Sequence, residues 1–187
     1  MKNRTYLLIG MVLLAMSASV FAQATKPAAT MTQILDKSIG NMENELTSAA
    51  EAMPEDKYSF APTTGEFKGV RNFGVQVKHV AAVNYMVAAS ILGEKAPATI
   101  GGENGPDSMT SKTDIVKFLK DSFAYVHKAV GTINEANSTG SIKSPFGDGT
   151  TTRLNMAVLL VGHGFDHYGQ VVEYLRLNGI IPPASRQ

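Results

Sequence analysis

The sequence predicts an all-α four-helix bundle, and three observations carry that prediction. Four segments repeat apolar residues at helical spacing. No convincing strand pattern interrupts them. The segments are separated by stretches rich in Gly, Pro and turn formers. Four amphipathic helices with no sheet to cover must bury their stripes against one another. The chain has 187 residues, 44% hydrophobic and 18% charged, which fits one globular domain and argues against disorder.

The first 24 residues read as a secretory signal. Lys2 and Arg4 form a basic start, and residues 6–18 form an apolar run too short for a membrane anchor. Cleavage after Ala22 or Ala24 leaves residues 25–187 as the bundle domain. Without Lys2 and Arg4, 15 of the 17 basic residues remain against 16 acidic ones, so the formal charge moves from +1 to −1. The expectation is an exported protein, periplasmic or secreted, with no stable membrane anchor after cleavage. No basic stripe with interleaved aromatics points to nucleic acid. There is no cysteine, which excludes a disulfide scaffold, a lipidated cysteine, a thiol nucleophile and a thiolate metal ligand.

The first helix spans 32–52, with Met31, Ile34, Leu35, Ile39, Met42, Leu46 and Ala49 in register; Thr30 or Thr32 caps it and Met53-Pro54 ends it. The second spans 70–92, where Phe73, Val77, Val80, Asn84 and Ala88 share a face and Gly93 stops it. The third opens at Ser111, which with Asp114 resembles a capping box, and carries Ile115, Phe118, Leu119, Phe123, Val126 and Val130. The fourth spans 153–178 and stops at Gly179, before Pro182-Pro183. The connection over 93–109 is long enough to cross the bundle end to end and leave helices two and three parallel. Within it, Gly101-Gly102-Glu103-Asn104-Gly105 follows no strand, so it reads as a flexible crossover and not as a phosphate cradle. Asn137-Ser138-Thr139 matches a glycosylation acceptor, a short and common pattern.

The fourth helix has two stripes. One is Leu154, Val158, Val161, Phe165, Val172 and Leu175; the other is Met156, Leu160, His163, His167, Val171 and Tyr174. Histidines four apart stack on one helix face and can chelate one ion. From the residues alone, the pair fits either a chelate or two packed core histidines. Gly164 stands where a zinc protease would carry its general-base glutamate, and Asp166 reads as a solvated or capping carboxylate. His79 flanks the apolar face of the second helix, and a bundle interior could bring it to the pair. His127 borders the third helix's stripe with no second ligand nearby, so it receives no role.

Together these residues resemble the DinB-like (DinB/YfiT-type) metal-binding four-helix bundles. Pro54, Glu55, Pro62 and His79 match that family's Pro-Glu loop and first histidine helix. His163, His167, Gly169 and Gln170 match its His-x-x-x-His-x-Gly-Gln segment, and Arg176, Gly179 and Pro182 match the Arg, Gly and Pro beyond it. The resemblance implies an up-down-down-up topology and a divalent metal held by His79, His163 and His167. Many members carry a tryptophan before the first histidine helix. This chain has none, and Phe67 or Phe73 is expected to fill the volume.

Two functions are implied by that resemblance. One is a metal-dependent hydrolase or thiol S-transferase acting on a small molecule, with Gln170, Asn84 and Tyr85 as supporting pocket residues. Low-molecular-weight thiols are chiefly cytosolic, so export shifts weight to hydrolysis. The other is a non-enzymatic metal-binding or stress-related bundle, its ion structural or sensory. Imidazole suits zinc, nickel, iron and copper; zinc or nickel is expected first, then iron or manganese. A homodimer paired through exposed helix faces is also expected.

Overall fold

A computed structural model describes residues 27–65 and 68–186. The expected signal and Phe67 lie outside them. Four α-helices dominate: α1 (Met31–Ala52), α2 (Phe73–Leu92), α3 (Lys112–Val130) and α4 (Arg153–Leu177). Between α3 and α4 lies a two-stranded antiparallel ribbon, β1 (Ser141–Lys143) and β2 (Thr150–Thr152). Short 3-10 turns follow α1, α2 and α4.

The caps explain the boundaries. Thr30, not Thr32, caps α1 in a reciprocal box with Gln33; the Thr32 hydroxyl instead donates to the Ile133 carbonyl. α2 begins at Phe73, three residues later than expected, because the Asn72 side chain accepts from Val75 N–H and fixes the start there. Ser111 caps α3 as expected, with its hydroxyl also donating to the Asp114 carboxylate at 2.6 Å. Gly179 closes α4 at φ +72°, where Ile180 N–H reaches back to Leu175 and Gly179 N–H to Arg176.

Cross-helix contacts fix the directions. Asn84 meets Ser122, and Glu94 meets Tyr125, so α2 and α3 run parallel. Thr32 meets Ile133 and Glu51 meets Lys120, so α1 and α3 are antiparallel. Gln76 meets Gln170 and Ile91 meets Arg153, so α2 and α4 are antiparallel. The result is the expected up-down-down-up bundle. Its crossover returns along α2, whose 20 residues rise about 30 Å.

α2 is the central helix. It is apolar on nearly every face because α3 and α4 pack on it and the crossover covers it. Phe73 is fully buried, edge-on to Tyr58 with ring centroids 5.1 Å apart.

Three sequence expectations change. A short strand pair does form, since Thr150, Thr151 and Thr152 are β-branched and pair with Ser141–Lys143 across a Gly/Pro turn. It docks on α2 where Ser90 Oγ donates to the Lys143 carbonyl at 2.6 Å. The crossover is docked, not loose. Lys78, only 5% exposed, donates to the carbonyls of Pro106 (2.8 Å) and Met109 (3.1 Å). Gly101, Gly102 and Gly105 take positive φ, and a Cβ on Gly105 would stand 2.8 Å from Lys78 Cβ. Finally, the two α4 stripes are not equally buried. The stripe of His163 and His167 packs inward along its length. In the other, Val172 and Leu175 are buried while Val158 and Phe165 remain exposed, at 57% and 43%.

Candidate metal centre

His79 comes from α2, and His163 and His167 from consecutive turns of α4. Antiparallel packing of these two helices sets the three imidazoles against one another. Ring centroids lie 5.1 Å (His79–His163), 4.7 Å (His79–His167) and 4.4 Å (His163–His167) apart. One ligand nitrogen from each falls within 4.8 Å of the others. The two Nε2 atoms of His79 and His163 are 3.2 Å apart. Two nitrogens on one tetrahedral zinc, at ~2.0–2.1 Å each, stand about 3.3 Å apart.

The outer nitrogens decide which atoms face inward. His79 Nδ1 lies 2.6 Å from the Glu103 carbonyl oxygen, which can only accept, so Nδ1–H donates and Nε2 keeps its lone pair. His167 Nδ1 lies 2.9 Å from Gln76 Oε1. The polarity of that contact is set by the far end of a relay. The Asp166 carboxylate accepts from Gln170 Nε2 at 3.1 Å. Gln170 Oε1 then accepts from Gln76 Nε2 at 2.6 Å, which leaves Gln76 Oε1 to accept from His167. His163 has no such support: its Nδ1 is buried without a partner among the described residues.

Burial favours neutral imidazoles here. It pulls His163 down to about 3, helped by the neighbouring His167 and His79. It pulls His167 down to about 4, helped by His79 and opposed by Asp166. It also lowers His79, against the Glu103 carbonyl that raises it. With Nδ1–H donated to Glu103, His79 Nε2 is a bare lone pair. Its close contact with His163 Nε2 is repulsive unless a proton or a cation lies between them. Neutral nitrogens converging on one point fit a divalent ion, and three of them could hold it.

The other expected pocket residues fare differently. Gln170 reaches the centre only through Gln76. Asn84 and Tyr85 turn to α3: Asn84 Nδ2 donates to Ser122 Oγ, and Tyr85 stacks on Phe118 at 5.4 Å. Asp166 is exposed, as read, yet it anchors the relay. Gln76 and the Glu103 carbonyl went unnoticed in the sequence. Gln76 lies three residues before His79, on the helix face toward α4, which was a usable signal; a backbone carbonyl leaves none. His127, given no role, bridges Asp36 (2.5 Å) and Glu43 (3.0 Å) across α1. Asn137 of the glycosylation-like triplet spends its side chain on the Thr132 carbonyl at 2.8 Å.

Gly164 also acquires a reason. A Cβ there would stand 1.7 Å from Met42 Sδ, and Met42 is fully buried. The close approach of α1 to α4 needs glycine between the two histidines, which leaves no room for a glutamate.

Comparison with known proteins agrees with this architecture. The sequence profile of the DinB superfamily matches residues 39–171. A DinB-like protein from Bacillus cereus superposes with a TM-score of 0.62 at 16% identity, covering 82% of this chain and 96% of that one. A conserved protein from Enterococcus faecalis superposes with a TM-score of 0.63 at 13% identity, covering 80% and 98%. A search of curated proteins finds no match.

Proposed function

The chain belongs to the DinB superfamily, and from that premise we propose that it is an exported protein that binds one divalent ion through His79, His163 and His167 and hydrolyses a small molecule there. The convergence of three neutral imidazoles carries this reading. Among the described residues no carboxylate joins the group. A three-ligand set leaves a coordination position for a reactant, the arrangement of catalytic sites. Zinc or nickel is the ion expected first among those that imidazole donors suit.

An ion bound there supplies Lewis acidity to a water or to a thiol cosubstrate. The chain's own residues do the rest. Glu103 and Gln76 hold the outer Nδ1–H groups of His79 and His167, so both Nε2 lone pairs point at the centre. Burial of His79 and His167, at 7% and 6% exposure, keeps them unprotonated and limits water around the ligands. His163 is half-buried, which leaves the approach on its side. Thiol S-transfer uses the same position, and a cytosolic location would favour it.

The burial of two ligands also favours a second reading, a non-enzymatic bundle whose ion is structural or sensory. The exposed Val158 and Phe165 of α4 support a homodimer in either case.

Elemental analysis of the mature protein, purified without a histidine tag, tests the metal reading. About one divalent ion per chain is expected, lost in His79→Ala and in His163→Ala/His167→Ala. Absence of metal after reconstitution with zinc, nickel and manganese would sink it. Turnover in a screen of small esters and amides then separates the enzyme from the structural bundle.

A further inference from the structure

A cationic side chain, Arg71, neighbours the histidine centre. Arg71 immediately precedes the Asn72 cap of α2. Its Nε donates to Asn104 Oδ1 at 2.7 Å, and Asn104 follows Glu103, whose carbonyl oxygen lies on His79. The Arg71 carbonyl accepts from the Tyr174 hydroxyl of α4 at 2.9 Å. The residue is thus tied to the crossover and to α4, beside the imidazoles. Its charge is near enough to disfavour protonation of all three histidines.

Arg71 is half-buried, and only Nε is used. Among the described residues no carboxylate pairs with it and its two Nη groups donate no hydrogen bond. Other ends of this arrangement are satisfied: Asn104, Tyr174 and the His79 and His167 Nδ1 groups all have partners. The four remaining guanidinium N–H bonds form a fork suited to an oxyanion.

The local charge points the same way. A divalent ion on neutral imidazoles keeps its full charge. Two carboxylates act on the histidines from the rim, Glu103 on His79 and Asp166 on His167. Both are exposed, and Asp166 is engaged by Gln170. Screened by solvent, they leave the metal and the adjoining guanidinium electropositive.

We propose that Arg71 and the open side of the histidine centre together bind the carboxylate or phosphate of a small anionic substrate, which makes Arg71 its specificity-determining residue. This rests on the metal reading above and adds the substrate class to it.

The test uses the mature protein loaded with cobalt(II), whose visible absorption reports ligands entering the metal site, titrated with acetate and with inorganic phosphate. Both anions are tried on the parent, Arg71→Gln and Arg71→Lys. Glutamine can still donate to Asn104, so it keeps the tether and removes the charge. At least one anion is expected to shift the parent spectrum, and the tighter of the two identifies the group. Arg71→Gln should bind it about ten- to a hundred-fold more weakly at unchanged cobalt content, with Arg71→Lys in between. Equal affinity in the parent and Arg71→Gln overturns the proposal, as does a cobalt-loaded parent that responds to neither anion. Failure to take up cobalt defeats the metal reading itself, a different result from either.

Discussion

Gln76→Leu isolates what the relay contributes to the metal centre. Gln76 is 1% exposed and, among the described residues, is the only partner of His167 Nδ1. Leucine matches its volume closely enough to keep the α2–α4 contact. In the metal-free protein the loss is softened, because the His167 proton can move to Nε2 and leave Nδ1 as a bare acceptor. A metal on Nε2 forbids that move and strands a buried N–H, a penalty of about 1–3 kcal/mol. The penalty therefore falls on the loaded state. Zinc affinity should drop about 10–100-fold, in line with losses of outer partners at other metal sites. Competition against a chromophoric chelator at pH 7.5 measures it, and thermal unfolding of the metal-free variant should change much less. Gln170→Ala, one step further out and half-exposed, should weaken zinc less, because water can replace it at Gln76. If Gln76→Leu binds zinc like the parent while His167→Ala does not bind, the relay has no part in holding the metal.

Three further outcomes are expected from the packing and the charges. Gly164→Ala forces a methyl into buried Met42 and should destabilise the fold by about 1–3 kcal/mol in urea unfolding; a neutral result would mean α1 and α4 separate freely. For His127, burial lowers the proton affinity, but hydrogen bonds to Asp36 and Glu43 outweigh it and the net shift is upward. A raised folded value means its stabilisation is complete below about pH 6.5, the ordinary histidine value, and is lost as pH rises through the folded value. The stability gap between the parent and His127→Gln should therefore close from pH 6 toward pH 9, and a gap independent of pH would contradict the ion pairs. The centre works in the opposite direction: with His163 near 3 and His167 near 4, the unfolded chain binds more protons than the folded one below about pH 6.5. The metal-free protein should lose stability steadily from pH 6.5 toward pH 4, and a His79→Leu/His163→Leu/His167→Leu variant should show a flatter profile.

Much of this was legible in local sequence. Helical spacing of apolar residues, the Ser111 cap, the Gly93 and Gly179 stops and the length of the crossover are all local signals, and they predict four helices with two parallel neighbours. Placing His163 and His167 on one helix face needed only their spacing. The ribbon over 141–152 was missed because three-residue strands are too short to show alternation. Asn84 and Tyr85 were misplaced for another reason: a helix as apolar as α2 gives no sign of which face meets α3 and which meets α4.

The sequence by itself therefore determined the class of the fold, the helices and their stops, and the residue types able to bind a metal. Which histidines meet was decided by tertiary structure, since that depends on register between α2 and α4. His79 reaches the pair because these helices run antiparallel with Gln76 level with Gln170, whereas His127, equally close to an apolar stripe, faces the carboxylates of α1. The inequality of the three ligands is tertiary too. His79 leans on a backbone carbonyl from the crossover, His167 on a relay spanning two helices, and His163 on nothing among the described residues within hydrogen-bonding reach of Nδ1. Periodicity can place a side chain on a face, but only the packed chain can supply the partner that fixes its proton.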